Sequence, residues 1–208
     1  ASNISELLQC PLVMSNFSRL LIDANRGIDD PTLIMKISDG KIIQGNKNIS
    51  FLVNCEEREK RIKSYYDLYH KKISDIIKKS IKRKVFPAII SIHSFTPYFG
   101  GRRRPFELGV LWDRDNRLSN IFFSHFIKHQ NKLTIGDNEP YSGRLKNDTL
   151  YRHGTERGLP NVLIEIRQDL ISSNQGQKYF SSLIAKPLIE NKNNSKLFKK
   201  KIYQSLAI

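Results

Sequence analysis

With 208 residues, 39% of them hydrophobic and 26% charged, the chain carries enough aliphatic side chains to bury one core and too many to be disordered. No apolar run approaches the ~20 residues that span a bilayer, and the opening ASNISELLQCPLVMS lacks the pattern of a secretory signal, so a cytoplasmic domain without a membrane span is expected. The net charge of +15 would suit nucleic acid, but the lysines crowd into residues 58–84, interleaved with acids, and 192–201; both stretches read as solvated faces, and a nucleic-acid partner is not expected.

In chain order, Ile4, Leu7 and Leu8 have helical spacing and predict the end of a helix. Residues 11–15 read as a short buried strand, 19–22 as a second apolar run, and DANRGIDDP as a loop. Asp39 and Gly40 predict a hairpin-like turn. From 54 to 83 the pattern is strongly helical, with Ile62, Tyr65, Tyr66, Tyr69, Ile73, Ile76 and Ile77 on one stripe. FPAIISIHSF reads as a strand buried on both faces. Strands at 107–112 and 133–136, a helix at 118–128, a short helix at 149–157, a strand at 162–166 and a long helix at 175–190 follow. This alternation predicts an α/β three-layer sandwich with a mixed, mostly parallel sheet, one domain over 1–208 whose last stretch, 191–208, is a basic helix or tail. Cys10 and Cys55 are far apart and not in a CxxC pattern, so neither a disulfide nor a cysteine metal site is expected.

In open α/β sheets ligands gather beyond the carboxyl ends of strands, so polar residues at strand ends carry the most weight. His93 follows a run of apolar residues in IISIHSFTP, where an imidazole could ligate zinc or be an ordinary structural histidine. SRLLIDANRG sets Arg19, Asp23, Asn25 and Arg26 around an apolar run; an Asn-Arg pair can grip a carboxylate, or the same residues can simply close a loop. In VLIEIRQDL, Glu165 sits among Val162, Leu163, Ile164 and Ile166, where desolvation raises a carboxyl pKa toward the range useful for proton transfer, unless Arg167 merely pairs with it.

The strings SRLLIDANRGIDDPTLI, SIHSFTP, GVLWDRD, DNEPYSG and HGTERGLPNVLIEIRQDLI, in that order over residues 15–171, resemble the N-formylglutamate amidohydrolase family, which is similar in fold to zinc carboxypeptidases and aspartoacylase. The resemblance implies zinc-dependent hydrolysis of the amide of a small anionic N-acyl acidic amino acid, such as N-formyl-L-glutamate, to formate and glutamate. It implies His93 as a metal ligand, Glu165 as general base and acid, and Arg19 as a group binding substrate or stabilising the oxyanion. Asn25 and Arg26 would hold the substrate carboxylate, Tyr141 and Ser142 would line the pocket, and Arg167 would orient Glu165 or meet a second carboxylate.

Members of the family carry a His-containing motif ahead of the SRLxID segment, and nothing like it stands in this sequence, so an amino-terminally shortened domain is expected. The other histidines, His70, His125, His129 and His153, fall in predicted helices or at their edges; His125 and His129 are four apart, but no Glu follows the first as HExxH chemistry requires. Two other readings stay open: a degenerate member of the fold, and a basic binding protein for nucleic acid or acidic metabolites. They separate on whether Arg19, Asn25, Arg26, His93 and Glu165 converge on one cleft, with His93 and Glu165 within about 12 Å.

Overall fold

The computed structural model describes residues 1–128 and 133–208; His129, paired above with His125, lies outside them. Helix α1 (Ser2–Leu8) ends on Gln9 in the left-handed conformation, whose neighbourhood returns hydrogen bonds to the carbonyls of Ser5 and Glu6. Residues 11–15, expected as a buried strand, form no strand and are mostly exposed. A strand exists only where its backbone finds a ladder partner, and the run PLVMS finds none. The next forty residues are largely irregular, apart from the hairpin β1 (Ile37–Ser38) and β2 (Lys41–Ile42), turned by Asp39 and Gly40 at φ 47° and 73°. They nevertheless pack a core of their own, with Ile22, Leu33, Ile34 and Ile49 closing on Ile62 and Tyr66.

The predicted long helix is α2 (Cys55–Arg61), one π-helical turn (Ile62–Tyr66) and α3 (Asp67–Lys82) in unbroken succession. Arg61 is buried here because its guanidinium is fully used: it donates to Glu57, to the Leu21 carbonyl and to Asn46, whose own amide donates to the carbonyls of Leu20 and Met35. That network pins the irregular segment to the helix.

The rest of the chain supplies the sheet: β3 (Ile89–Phe95), a small hairpin of β4 (Tyr98–Phe99) and β5 (Arg102–Arg103), β6 (Leu108–Leu111), α4 (Arg117–Lys128), β7 (Ile135–Asp137), a π-helical turn (Tyr151–Thr155), β8 (Asn161–Arg167) and α5 (Asn174–Glu190). The strands lie in the order β3-β8-β6-β7, with β3 parallel to β8, β6 parallel to β7, and β6 antiparallel to β8. This is the mixed, mostly parallel α/β sheet expected from the sequence. Residues 191–208, read as a basic helix or tail, contain no helix; they turn repeatedly as far as Lys199 and then run without regular structure to Ile208.

Alternation along the strands sorts the two faces. Val162, Ile164 and Ile166 of β8 join Leu108 and Val110 of β6 beneath α1, α4 and α5, around Phe122 and Ile184. Each such side chain taken fully out of water contributes about 1.5–3 kcal/mol. On the opposite face Leu163 packs with Leu111, Ile89 and Leu150. The same alternation sends His93 and Glu165 to that second face. β3 stands at the border of the sheet, so the second face opens along its outer side. Among the described residues, no helix is long and apolar enough to cross a membrane.

Candidate active site

His93 and Glu165 are direct neighbours across the parallel pairing of β3 and β8, and Glu165 faces Gly109 across the antiparallel pairing with β6. His93 Nδ1 stands 3.8 Å from Glu165 Oε1. Gly109 is required by close approach: a Cβ there would fall 2.3 Å from the Glu139 carbonyl oxygen, and at Gly136 of β7 2.5 Å from the same atom. These two glycines let the loop through Pro140 and Tyr141 lie flat on the sheet beside Glu165.

Glu165 is buried, and its Oε2 has no hydrogen-bond partner among the described residues. Burial pushes its carboxyl up to about 7, against the opposing pull of the Arg19 and Arg104 guanidinium groups. Burial also lowers the His93 imidazole below its ordinary value, favouring its neutral form; Arg19 and Arg26 act the same way and Asp23 acts against them.

Asp23 organises the facing loop. Its carboxylate accepts from Arg19 Nη2 at 2.8 Å and from the Asn25 backbone at 3.0 Å, and lies 3.8 Å from Arg26 Nε. Arg26 also faces Asp30 at 3.9 Å. Asn25 Oδ1 accepts from the Thr149 backbone at 3.3 Å, and the Thr149 hydroxyl donates to the Ala24 carbonyl, tying the loop to the turn that precedes β8. Behind it the Tyr66 hydroxyl donates to the Arg26 carbonyl at 2.8 Å and accepts from Arg152.

Next to Tyr66 the rings of His70 and His153 stack, with Nδ1 of the first 2.9 Å from Nε2 of the second. One proton between the two nitrogens means that at most one ring is charged. Burial, together with Arg152 and the neighbouring ring, drives His70 down to about 3; burial, Arg157 and Arg152 drive His153 down to about 4. Both folded values lie below the ordinary 6.5, so unfolding takes up protons as the pH drops below that value. Their contribution to stability is therefore complete above pH 6.5 and is lost as the pH falls toward about 4 and 3. The urea midpoint is expected to fall over that window, and a His153→Phe variant, followed over the same pH range, is expected to show a shallower decline.

One cavity of about 1600 Å³ opens on this face and continues around the border strand β3 to Ile4, Ile90, Ile92 and Leu188 of the other. Arg19, Asn25 and Arg26 line it from the loop, His93 and Glu165 from the sheet, and Tyr141 and Ser142 from the loop laid over Gly109 and Gly136. Tyr141 is held by Arg104, whose Nη1 donates to its hydroxyl at 2.6 Å while the guanidinium sits 5.0–5.4 Å from the rings of Phe95, Phe99 and Tyr141. Ser142 Oγ accepts from the Arg144 backbone.

Arg167 stands apart. It does not line this cavity; its side chain donates to Asp169 at 2.8 Å and faces Glu107 at 3.7 Å, in a separate small pocket with Arg103 and Arg104. Those two carboxylates hold it away from Glu165. Asp148, which the sequence reading passed over, lines the cavity as a buried carboxyl that accepts from the Tyr151 backbone at 2.7 Å; burial pushes it up to about 7, opposed by that hydrogen bond and by Arg26. In the sequence it is indistinguishable from an ordinary helix cap.

A structural or catalytic zinc needs three or four protein ligands. His93 and Glu165 are two donors, and among the described residues no group of three His, Cys, Asp or Glu side chains is placed to hold a metal ion. The residues present do not fit the zinc site that the resemblance implies. After dialysis against a metal-free buffer and re-addition of zinc, the 208-residue chain is expected to retain far less than one equivalent, read by elemental mass spectrometry.

The site thus sets a buried carboxyl beside an imidazole on an α/β sheet, facing a loop that carries two guanidinium groups. The family model of N-formylglutamate amidohydrolase matches residues 2–172, and the chain belongs to that family. Among solved structures, the gene product Atu2144 from Agrobacterium tumefaciens is similar at 32% identity and a TM-score of 0.81, over 92% of this chain and 76% of that one. The N-formylglutamate amidohydrolase from Ralstonia eutropha JMP134 is similar in fold, at 19% identity and a TM-score of 0.62, over 86% and 74% of the two chains. No curated protein matches the chain.

Proposed function

We propose that the cavity binds a small N-acyl acidic amino acid, of which N-formyl-L-glutamate is the type, and hydrolyses its amide. The observation that carries this reading is the meeting, in one cavity, of a buried carboxyl, pushed up to about 7 by its burial, with the guanidinium groups of Arg19 and Arg26. Membership of the family supports the same reaction class. The basic side chains that matter converge with Glu165, as an anionic substrate requires, whereas a nucleic-acid binder would spread them along a stripe.

In this proposal Arg26 and the free amide nitrogen of Asn25 hold the substrate carboxylate and fix the amide over the sheet. Binding exchanges the Asp23 and Asp30 carboxylates, which face Arg26 without substrate, for that of the ligand. Glu165, ionised above its raised value, takes a proton from the attacking water and returns it to the leaving nitrogen. Neutral His93, 3.8 Å away, orients that carboxylate or the water beside it. Arg19, more than half exposed and anchored on Asp23, supplies positive charge to the oxyanion of the tetrahedral intermediate. The test is formate release from N-formyl-L-glutamate, with N-formyl-L-leucine as control. Equal turnover of the two would remove the role given to the arginines.

A further inference from the structure

One wall of the cavity comes from outside the stretch that the family model matches. Leu206 and Ile208 line it, together with Tyr141, Ser142 and Arg144. They belong to the segment that follows α5, and they are among the exposed apolar side chains of the molecule.

The segment is fastened along its length. Arg117 donates to the carbonyls of Leu197 and Lys199, and the Lys201 backbone donates to the Gly158 carbonyl at 2.8 Å. At the cavity the fastening point is Asp113, a buried carboxylate that takes part in no ion pair among the described residues. It accepts from the Ser205 hydroxyl at 2.6 Å and from the Leu206 backbone at 2.9 Å. The Ile208 backbone then donates to the Arg144 carbonyl and its carbonyl accepts from Lys146, both at 3.3 Å, in the manner of a short antiparallel ladder. Burying a carboxylate without a cation costs stability unless it is well hydrogen-bonded, and the partners of this one include two from the segment. Fixing a backbone so firmly while leaving its leucine and isoleucine unpacked makes sense if those side chains meet a ligand.

Building on the amidohydrolase reading, we infer that the segment Ser205 to Ile208 is a specificity wall, and that the substrate carries an apolar acyl group, longer than formyl, that packs on Leu206 and Ile208. The acidic end lies with Arg26 and Asn25, and the acyl chain runs toward the segment.

The experiment is calorimetric titration of the full chain with N-formyl-, N-acetyl- and N-hexanoyl-L-glutamate, repeated on Leu206→Ala and Asp113→Asn. Each methylene packed on the wall is worth about fourfold in affinity when fully buried. The hexanoyl ligand is therefore expected to bind at least about tenfold more tightly than the acetyl one. Leu206→Ala, a change at an exposed side chain, is expected to remove most of that gain and leave N-formyl-L-glutamate binding unchanged. Asp113→Asn is expected to do the same by loosening the segment, and a thermal melt of each variant checks that the fold is kept. A hexanoyl gain that survives both substitutions overturns the inference, as does the absence of any gain when N-formyl-L-glutamate binds. Failure of all three ligands to bind overturns the amidohydrolase reading itself and this inference with it.

Discussion

Glu165→Gln is expected to lower the rate of amide hydrolysis by about 10²–10⁴-fold, the contribution of a positioned general base. Substrate affinity should change little, because in the proposal the carboxylate of the ligand is held by Arg26 and Asn25. The pH profile is the more telling readout. Burial raises Glu165 to about 7, so the base is ionised, and the parent rate climbs, as the pH rises through that value. In the glutamine variant the residual rate should lose this inflection. The linkage sign is opposite for stability. A folded value raised above the ordinary 4.5 means that Glu165 supports the fold fully below 4.5 and that this support is lost as the pH rises through about 7. The variant should therefore melt at a higher temperature than the parent at pH 8, a gain in stability that accompanies the loss of function. A variant that is slow but keeps the inflection near 7 would assign the titration to another group, with Asp148 the first to suspect.

Arg26→Met is expected to raise KM tenfold to a hundredfold with kcat little changed. A hydrogen bond to a charged group contributes about 1.5–3 kcal/mol, and the side chain of Arg26 is 30% exposed, which favours the lower end. Methionine keeps the length of the stem and leaves the loop standing, because the Tyr66 hydroxyl grips the Arg26 carbonyl and not its side chain. The measurement is steady-state kinetics on N-formyl-L-glutamate beside N-formyl-L-leucine; a KM that rises equally for both, or does not rise, contradicts the assignment.

Much of this was legible in the residues. A carboxylate in the otherwise apolar run VLIEI has few physical explanations, and Glu165 is indeed buried. The resemblance placed His93 and Glu165 in one cleft, and the pairing of β3 with β8 sets them side by side. The helices α3, α4 and α5 were legible from the sequence, and Ser173 caps the start of α5 by accepting from the Gly176 backbone. What failed is what depends on partners far along the chain. Residues 11–15 have strand composition and no strand to pair with. Arg167 lies two residues from Glu165, the spacing that shares a face, yet Glu107 and Asp169 capture it. Nothing local in a lysine- and asparagine-rich stretch announces that its far end borders a cavity, because its fastening points, Asp113, Arg117 and Gly158, lie at least forty residues before it.

The position of β3 carries a consequence for the molecule in solution. A seven-residue border strand rich in isoleucine has amide and carbonyl groups on one flank without a ladder, and such a flank is a template onto which another chain can add. Two copies meeting flank to flank would extend one sheet into the other. The surplus of fifteen positive charges holds copies apart over roughly the Debye length, about 8 Å at physiological ionic strength, and this repulsion weakens as salt is added.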